Sequence, residues 1–349
     1  MAKEIILLVV IAVGSISILL VLLAYLVVRK LLENSRRQQI NEWKENTAQD
    51  VFLFLQDKSH ELSFSADSNI EREALEELLT KYTDILEGDQ EKESLRILAA
   101  ANLTDYYRKN LNARKWSTRM NTLYHIENFH LLELKEELIR LAKNGAKQSK
   151  EEKIQIYRIL ASFQYTGIFM LINQQEYLAE KDYRSILTRL ESHIFDEMIE
   201  QFEDCVEELK LAILDVMGVK KDLEHIYFLE KIFQTYEGEL RLRALKAISN
   251  IGIVPNIDKY LPLCQSSVWQ ERMMAARLMG FIKQETALNL LKELLQDQSW
   301  FVRSQAAESI MKFKEGTKVL EDVLQHSKDA FARDMAWEWV NKGIIKGAN

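Results

Sequence analysis

Histidine is the side chain in this sequence best suited to binding a metal or moving a proton near neutral pH. The six histidines are His60, His125, His130, His193, His225 and His326. None stands in the H-E-x-x-H spacing that places two imidazoles around zinc on one helix face. His125 and His130, five residues apart, lie well off a common helix face. We interpret them as isolated packing or surface residues, and expect no metal and no cofactor.

Carboxylates are the other groups that could support acid–base or metal chemistry, and they are densest within residues 191–208. The members of this group are Glu191, Asp196, Glu197, Glu200, Glu203, Asp204, Glu207 and Glu208. A di-metal site in a helical protein needs Glu-x-x-His pairs, which this stretch lacks. The chain also has no P-loop, no dinucleotide glycine fingerprint and no G-x-S-x-G elbow. We therefore predict a solvated helix face and no enzyme.

Cysteine usage and net charge exclude two further classes of protein. Cys205 and Cys264 both fall within apolar helical patterns, which predicts small buried side chains and no disulfide framework. The formal net charge of −7 argues against a nucleic-acid groove, which needs clustered Lys and Arg against phosphate.

A short pattern that recurs near the C-terminus indicates how the chain is organised. The four-residue pattern Arg-x-x-Ala begins at Arg241, Arg272, Arg303 and Arg333. Successive arginines are 31, 31 and 30 residues apart, a period typical of stacked-repeat architectures. A tryptophan stands three positions before two of these arginines, at Trp269 and Trp300.

Each period divides into two amphipathic helices. Within residues 298–314 the apolar residues recur at spacings of three and four, and residues 288–295 repeat the pattern for a second helix. Shifting that second set back by 31 gives Ile257, Tyr260, Leu263 and Cys264, which predicts a conserved core register. Such a hairpin must stack on neighbours to bury its apolar face. The sequence therefore predicts an all-α solenoid of about eight hairpins.

The stretch 295–310 resembles a HEAT repeat of the short bacterial type, as found in PBS-lyase-like proteins, and the resemblance covers residues 238–345. It implies that an Asp before the first helix and an Arg within it form a ladder between repeats. Asp297 and Arg303 match this pattern, whereas Ser266 and Ser327 stand at the equivalent Asp positions. The residues that we assign to the ladder are Arg241, Trp269, Arg272, Asp297, Trp300, Arg303 and Arg333.

Residues Ile5–Val28 form an uncharged, mostly apolar stretch of 24 residues, long enough to cross a bilayer as a helix. A cleaved signal peptide would have a shorter apolar region and a small-x-small cleavage site. Among positively charged side chains, only Lys3 precedes the stretch, whereas Arg29, Lys30, Arg36 and Arg37 follow it. The positive-inside rule then predicts a single-pass cell-membrane protein with its N-terminus outside and its C-terminal domain cytoplasmic.

The predicted domain order follows from these features. Residues 1–28 form the short outer N-terminus and membrane helix, and 29–69 a basic juxtamembrane helix and linker, with a hinge expected around 63–68. Residues 70–235 form degenerate HEAT-like repeats, and 236–349 regular repeats with a C-terminal cap helix. Trp116-Ser-Thr-Arg119 repeats the tryptophan–arginine spacing and extends the array towards the N-terminus.

Two surfaces are candidates for partner binding. Outward positions on the second helix of each hairpin include Asn289, Lys292, Glu293, Glu321 and Asp322. Their mixed charges favour a protein partner over an anionic polymer. The last helix carries Trp337 and Trp339, about 200° apart around the helix axis. In one interpretation, one tryptophan closes the core and the other is exposed as an interface anchor. In the alternative, the helix only caps the array.

The function that this combination predicts is a membrane-tethered, non-enzymatic scaffold that binds a protein partner at the membrane. An alternative is an accessory subunit of one membrane enzyme, such as a glycosyltransferase or a transporter. An alternative from another class is a HEAT-like enzyme of the lyase type. A lyase would need a ligand-sized pocket that holds ionisable groups.

Overall fold

The computed structural model describes residues 2–60, 62, 64–144, 148–173, 175, 177–282 and 284–346, with side chains from Val13 to Lys342. In this part of the chain all regular secondary structure is helical. The chain divides into two compact units, Met1–Tyr165 and Thr166–Asn349. The predicted all-α fold is thereby confirmed.

The first unit consists of helices joined by short loops. They are α1 (Ala2–Gln56), α2 (Asn69–Thr83), α3 (Asp89–Asn110), α4 (Trp116–Asn128), a 3₁₀ turn (Leu132–Leu134), α5 (Lys135–Asn144) and α6 (Lys150–Ser162). α2 packs on α3, and the tryptophan–arginine repeat that the sequence indicated at Trp116 begins α4.

The second unit begins with a short helix and continues as regular hairpins. The helices are α7 (Ile168–Ile172), α8 (Glu180–Leu187), α9 (Ser192–Glu200), α10 (Glu207–Lys220), α11 (Ile226–Thr235), α12 (Gly238–Ile251), α13 (Trp269–Met279), α14 (Glu285–Leu294), α15 (Trp300–Met311), α16 (Gly316–His326) and α17 (Ala330–Lys346). 3₁₀ turns lie at Phe202–Asp204, Leu223–His225, Ile257–Lys259 and Leu261–Gln265.

The long helix α1 belongs to the first unit through its C-terminal third. Its side chains Ile40, Val51 and Leu55 are buried, and this segment packs on α2 and α3. The connection between α1 and α2 therefore joins two helices that pack on each other; of the hinge expected around 63–68, residue 63 lies outside the described residues. The end of this connection is fixed by Ser68, which caps α2 with Glu71 in a reciprocal capping box.

In the second unit the first helices of successive hairpins stack side by side. α8 packs on α10, α10 on α12, α12 on α13, α13 on α15, and α15 on α17. The second helices α11, α14 and α16 pack against this layer. Alanines 275, 276, 306 and 307 are fully buried where the helices meet. Small side chains are needed there because the helix axes approach closely.

One predicted second helix adopts a tighter form. Residues 257–265 form two 3₁₀ turns instead of an α-helix, and Pro262 lies at the start of the second. Proline has no amide hydrogen to donate and disfavours the helical conformation at the residue before it. Tyr260, Leu263 and Cys264 are nevertheless buried and Ile257 is half-buried, so three of the four predicted core positions are kept.

Consecutive repeats are joined by arginines whose guanidinium groups connect two loops. The Arg272 Nη1 donates to the Ser266 carbonyl oxygen at 2.7 Å, while Nε and Nη2 donate to the carboxylate of Asp297 at 2.6 and 2.9 Å. We call an arginine with its carboxylate from the next repeat a rung. The side chains of this rung are only 17% and 7% exposed.

Two further rungs take their carboxylate from a different position in the repeat. Where Ser266 replaces the aspartate, Glu271 inside α13 accepts from Arg241 Nε at 2.8 Å and from the Ser266 hydroxyl at 2.5 Å. In the first unit, Arg119 donates to Glu152 at 2.6 Å. Glu152 also belongs to the capping box of α6. The negative charge thus occupies a similar place although its residue differs.

Hydrogen bonding stabilises the charged form of these carboxylates. Burial alone would raise the pKa of Asp297, but hydrogen bonds from Arg272 and the Ser299 amide hold its pKa below the ordinary value. The pKa of Glu152 is lowered against burial in the same way, by Arg119 and the Ser149 amide. Both rungs are therefore ionised at neutral pH.

Replacing Arg272 by Met should lower the free energy of unfolding by about 3 kcal/mol, because it leaves the Asp297 carboxylate buried without its cation. The measurement is a denaturant titration of the full chain in detergent micelles. Lys318→Met is the matched control, since the Lys318–Glu315 pair is exposed and should leave the midpoint unchanged. Equal losses in both variants would contradict a stabilising rung.

Both thiols should resist alkylation in the folded protein. Cys205 and Cys264 are buried, which raises their pKa values to about 12 and about 11, so almost no thiolate exists near pH 8. Iodoacetamide labelling at pH 8, read by mass spectrometry, should modify both only in denaturant. A Ser59→Cys variant, exposed in the loop after α1, provides the reactive control. Rapid native labelling of Cys264 would contradict its burial.

Candidate functional site

The residues with the most obvious chemical potential are dispersed in the structure. In the described part of the chain, no group of three or more His, Cys, Asp or Glu side chains is arranged to hold a metal ion. The carboxylates of residues 191–208 are exposed apart from half-buried Asp196, whose Oδ1 lies 2.8 Å from His225 Nε2. This region is therefore a solvated face, as the sequence predicts.

A cleft of about 440 Å³ in the first unit is one place where a ligand-sized pocket meets ionisable groups. Its lining includes His130, Arg96, Glu93 and Glu127. Arg96 donates to Glu93 and to Glu133, which neutralises its charge. Burial, reinforced by Arg96, lowers the pKa of His130 below its ordinary value, so its imidazole is neutral at pH 7. In this cleft the charge of Arg96 is thus paired and the His130 imidazole is neutral.

The outward positions predicted on the second helices lie at the surface of α14 and α16. Asn289 and Glu293 on α14 are exposed, and Lys292 is half-buried. On α16, Glu321 and Asp322 are exposed. α14 and α16 both pack on α15, and the Asp322 carboxylate lies 2.9 Å from His326 of its own helix. Their role in binding stays a prediction.

The last helix presents its two tryptophans to different environments. Trp337 is 61% exposed, the largest exposure of a tryptophan in the described chain. Trp339 is half-buried, and the Lys342 ammonium lies 5.0 Å from the centre of its ring. α17 packs on α15 and α16. Trp337 is therefore the tryptophan of this helix that is available to a partner.

Exposed aromatic rings also line the N-terminal turns of the first helices, a feature that our sequence interpretation missed. Phe301 stacks on half-buried Trp269 at 5.1 Å and meets Trp300 edge-on at 5.4 Å. Trp300, Phe301 and Phe331 are 49%, 55% and 59% exposed. We call these four residues, Trp269, Trp300, Phe301 and Phe331, the aromatic stripe. The 30-residue interval between Phe301 and Phe331 was the available signal.

A charge cluster replaces the rungs between α8, α10 and α12. Asp215, buried on α10, accepts hydrogen bonds from Arg184 at 3.1 Å, from Lys246 at 3.1 Å, and from Arg243. Glu180 accepts a further bond from Arg243 at 3.0 Å. Residues 184, 215 and 246 are spaced by 31, so the cluster follows the repeat. Its charges compensate one another, which indicates a stacking role.

Comparison with protein families supports the assignment of the repeats. A family model described as HEAT repeats matches residues 257–338, from the 3₁₀ turns through most of α17. A search of curated proteins gives no match. HEAT repeats are typical of non-enzymatic scaffolds that bind other proteins. The matched repeats and the stacked hairpins on their N-terminal side together support a HEAT-like helical repeat fold.

Proposed function

We propose that this chain is a membrane-tethered scaffold, anchored by α1, whose HEAT-like repeats bind a protein partner at the cytoplasmic surface of the cell membrane. The observation that carries the proposal is that one unbroken helix joins an exposed apolar segment to the packed core of the first repeats. The two halves of α1 need different surroundings.

The N-terminal half of α1 has the length and exposure expected of a membrane span. It is the one helix of the described chain that is long and apolar enough to cross a bilayer. From Val13 to Leu32 its large apolar side chains are about half to two-thirds exposed. A contiguous apolar surface of this size is unfavourable in water. The 24 residues Ile5–Val28 would extend about 36 Å, enough for a hydrocarbon core of about 30 Å.

The C-terminal half of α1 connects this span directly to the repeats. Arg36 pairs with Glu73, and both Arg37 and Lys44 pair with Glu77 on α2. Ile40, the first buried residue after the span, follows Val28 by about 18 Å of helix. The tether is therefore short and helical, which favours partners that act close to the membrane.

Flanking charge supports the proposed orientation. Arg29 and Lys30 directly follow the apolar segment, and Arg36 and Arg37 follow about two turns later. Positive residues next to a span are retained on the cytoplasmic side. The pairs of Arg36 and Arg37 with α2 give these two residues a structural role as well. In this orientation both repeat units lie in the cytoplasm.

Confinement is the mechanism by which such a scaffold acts. A partner that binds both this chain and a membrane component meets that component at a raised effective concentration, without any new contact. Exposed Trp337 and the aromatic stripe are the surfaces most suited to such binding, because aromatic anchors dominate protein interfaces energetically.

The membrane anchor can be tested by charge substitution within α1. Ile16→Arg with Leu20→Arg should abolish retention of the full chain in carbonate-washed membranes, because each arginine near mid-bilayer costs about 2.5–3.5 kcal/mol. Leu31→Arg with Leu32→Arg, beyond the span on the same helix, should leave retention unchanged. Equal retention of both double variants would show that α1 is not the anchor.

Partner binding can be tested by crosslinking in cells and purification from gently solubilised membranes. Trp337→Ala should reduce the recovered partner about tenfold or more without a change in stability, since an exposed hot-spot residue contributes about 2 kcal/mol. Tyr227→Ala, 71% exposed on α11, is the matched control and should retain the partner. Retention by Trp337→Ala would move the interface elsewhere, and absence of any partner would contradict the scaffold.

A further inference from the structure

The arginines of the rungs share one pattern of hydrogen bonds. In each of the rungs of Arg119, Arg241 and Arg272, Nη1 donates to a backbone carbonyl oxygen that precedes its own helix. The acceptors of Arg119 and Arg272, Ala113 and Ser266, lie in the preceding loop, and that of Arg241, Phe233, lies in the last turn of α11. In each, Nε donates to a carboxylate of the following repeat, provided by Glu152, Glu271 and Asp297. The Nε edge of the guanidinium is thus a carboxylate-binding site wherever a rung is complete.

Arg303 has the first half of this pattern without the second. Its Nη1 donates to the carbonyl oxygens of Asp297 and Gln298 at 2.7 and 3.1 Å. Its side chain is buried, with the residue 8% exposed. Within the described part of the chain, its buried Nε has no hydrogen-bond partner. A buried guanidinium with an unsatisfied donor is costly, so this edge favours an added anion.

The missing carboxylate follows from the sequence of the next loop. Ser327 occupies the position that Asp297 holds one repeat earlier, and it is half-buried. Its hydroxyl accepts from the Asp329 amide at 3.2 Å. Two carboxylates of the flanking loops hydrogen-bond other groups, that of Asp297 to Arg272 and that of Asp329 to the Ala332 amide, and the Asp297 carboxylate meets Arg303 only through its charge. Exposed Lys328, beside Ser327, adds positive charge.

Apolar surface surrounds this unmatched charge. The Phe331 ring lies over the guanidinium, with its centre 4.7 Å from Cζ. Trp300 precedes Arg303 by one helical turn and is half exposed, as is Phe301 beside it. One guanidinium can bind an aromatic ring and a carboxylate at the same time. Arg241 shows this, because its Nε donates to Glu271 while the centre of the Phe233 ring lies 3.9 Å from its Cζ.

We propose that the Arg303 edge and the aromatic stripe form a docking site for an acidic segment of a protein partner. An Asp or Glu carboxylate of that segment binds Nε of Arg303 and completes the rung. An adjacent apolar side chain of the segment packs on Trp300 and Phe331. The exposed Phe331 ring moves aside to admit it. This inference rests on the proposed scaffold function and specifies the chemistry of its partner.

A carboxylate introduced at position 327 tests whether Nε of Arg303 can bind one. Ser327→Asp should raise the thermal midpoint of the full chain in nanodiscs by about 2–6 °C, as expected for a new charge-assisted hydrogen bond. Ser327→Asn, similar in size but neutral, should give no such gain. Ser266→Asp is the matched control, because Glu271 already fills the corresponding edge of Arg241, and it should give no gain.

Supplying the carboxylate from outside tests docking itself. The probe is the dipeptide N-acetyl-Phe-Asp-amide, titrated into the full chain with ¹⁵N-labelled arginine, and the readout is the Nε–H resonance of Arg303, assigned with Arg303→Gln. The acidic dipeptide should shift this resonance saturably and leave that of Arg272 in place. N-acetyl-Phe-Asn-amide should have no effect. Ser327→Asp should weaken the titration at least tenfold, and Trp300→Ala should weaken it too.

Each unfavourable outcome identifies a different failure. Equal midpoints for Ser327→Asp and Ser327→Asn would show that the edge is not open. A stabilising Ser327→Asp with no response to the acidic dipeptide would show that the edge is closed to external ligands. Equal binding of both dipeptides would exclude carboxylate recognition. Failure of the membrane or crosslinking tests would leave these results unaffected, so the two proposals can fail separately.

Discussion

The regular repeats of this protein are held in register by a carboxylate placed beside a largely buried arginine, as in the rungs of Arg241 and Arg272. Arg272 shows why, because its guanidinium ties the loop before its own helix to the loop before the next helix. A hydrophobic interface alone tolerates small sliding, whereas a buried charge is costly unless its partner stands in one place. The rung therefore fixes the register in which the hairpins bury their apolar faces.

The constraint acts on the position of the charge and much less on the residue that carries it. Asp297 precedes its helix, Glu271 lies within α13, and Glu152 is part of a capping box, yet each meets an arginine of the preceding repeat. Between α8 and α12, Asp215 satisfies the same need with several cations. The middle repeats lack the recurring arginine in their sequence but keep a compensated buried charge.

These substitutions explain what could and could not be predicted from the sequence. The 31-residue period and the helical spacing of apolar residues predicted the all-α stacked fold, because burial of one face per helix leaves a direct pattern in the sequence. The carboxylates at Glu271 and Glu152 were missed because their positions differ from that of Asp297. Pro262 changed an expected α-helix into 3₁₀ turns while three of the four predicted core positions held. Exposure of the aromatic stripe depends on neighbouring helices, which periodicity alone does not specify.

Within the aromatic stripe, some residues contribute to the stacking of the repeats and others remain exposed to solvent. Trp269 and Trp300 occupy the same position in consecutive repeats, but Phe301 covers Trp269 whereas Trp300 remains about half exposed. The junction that follows Trp300 is also the one where Ser327 leaves Arg303 without a carboxylate. An incomplete rung and uncovered rings at one junction are both unfavourable in isolation, and a single acidic and apolar ligand would relieve both. The preceding rungs of Arg241 and Arg272 are complete, so this coincidence at the Arg303 junction is where we propose that a partner completes the structure.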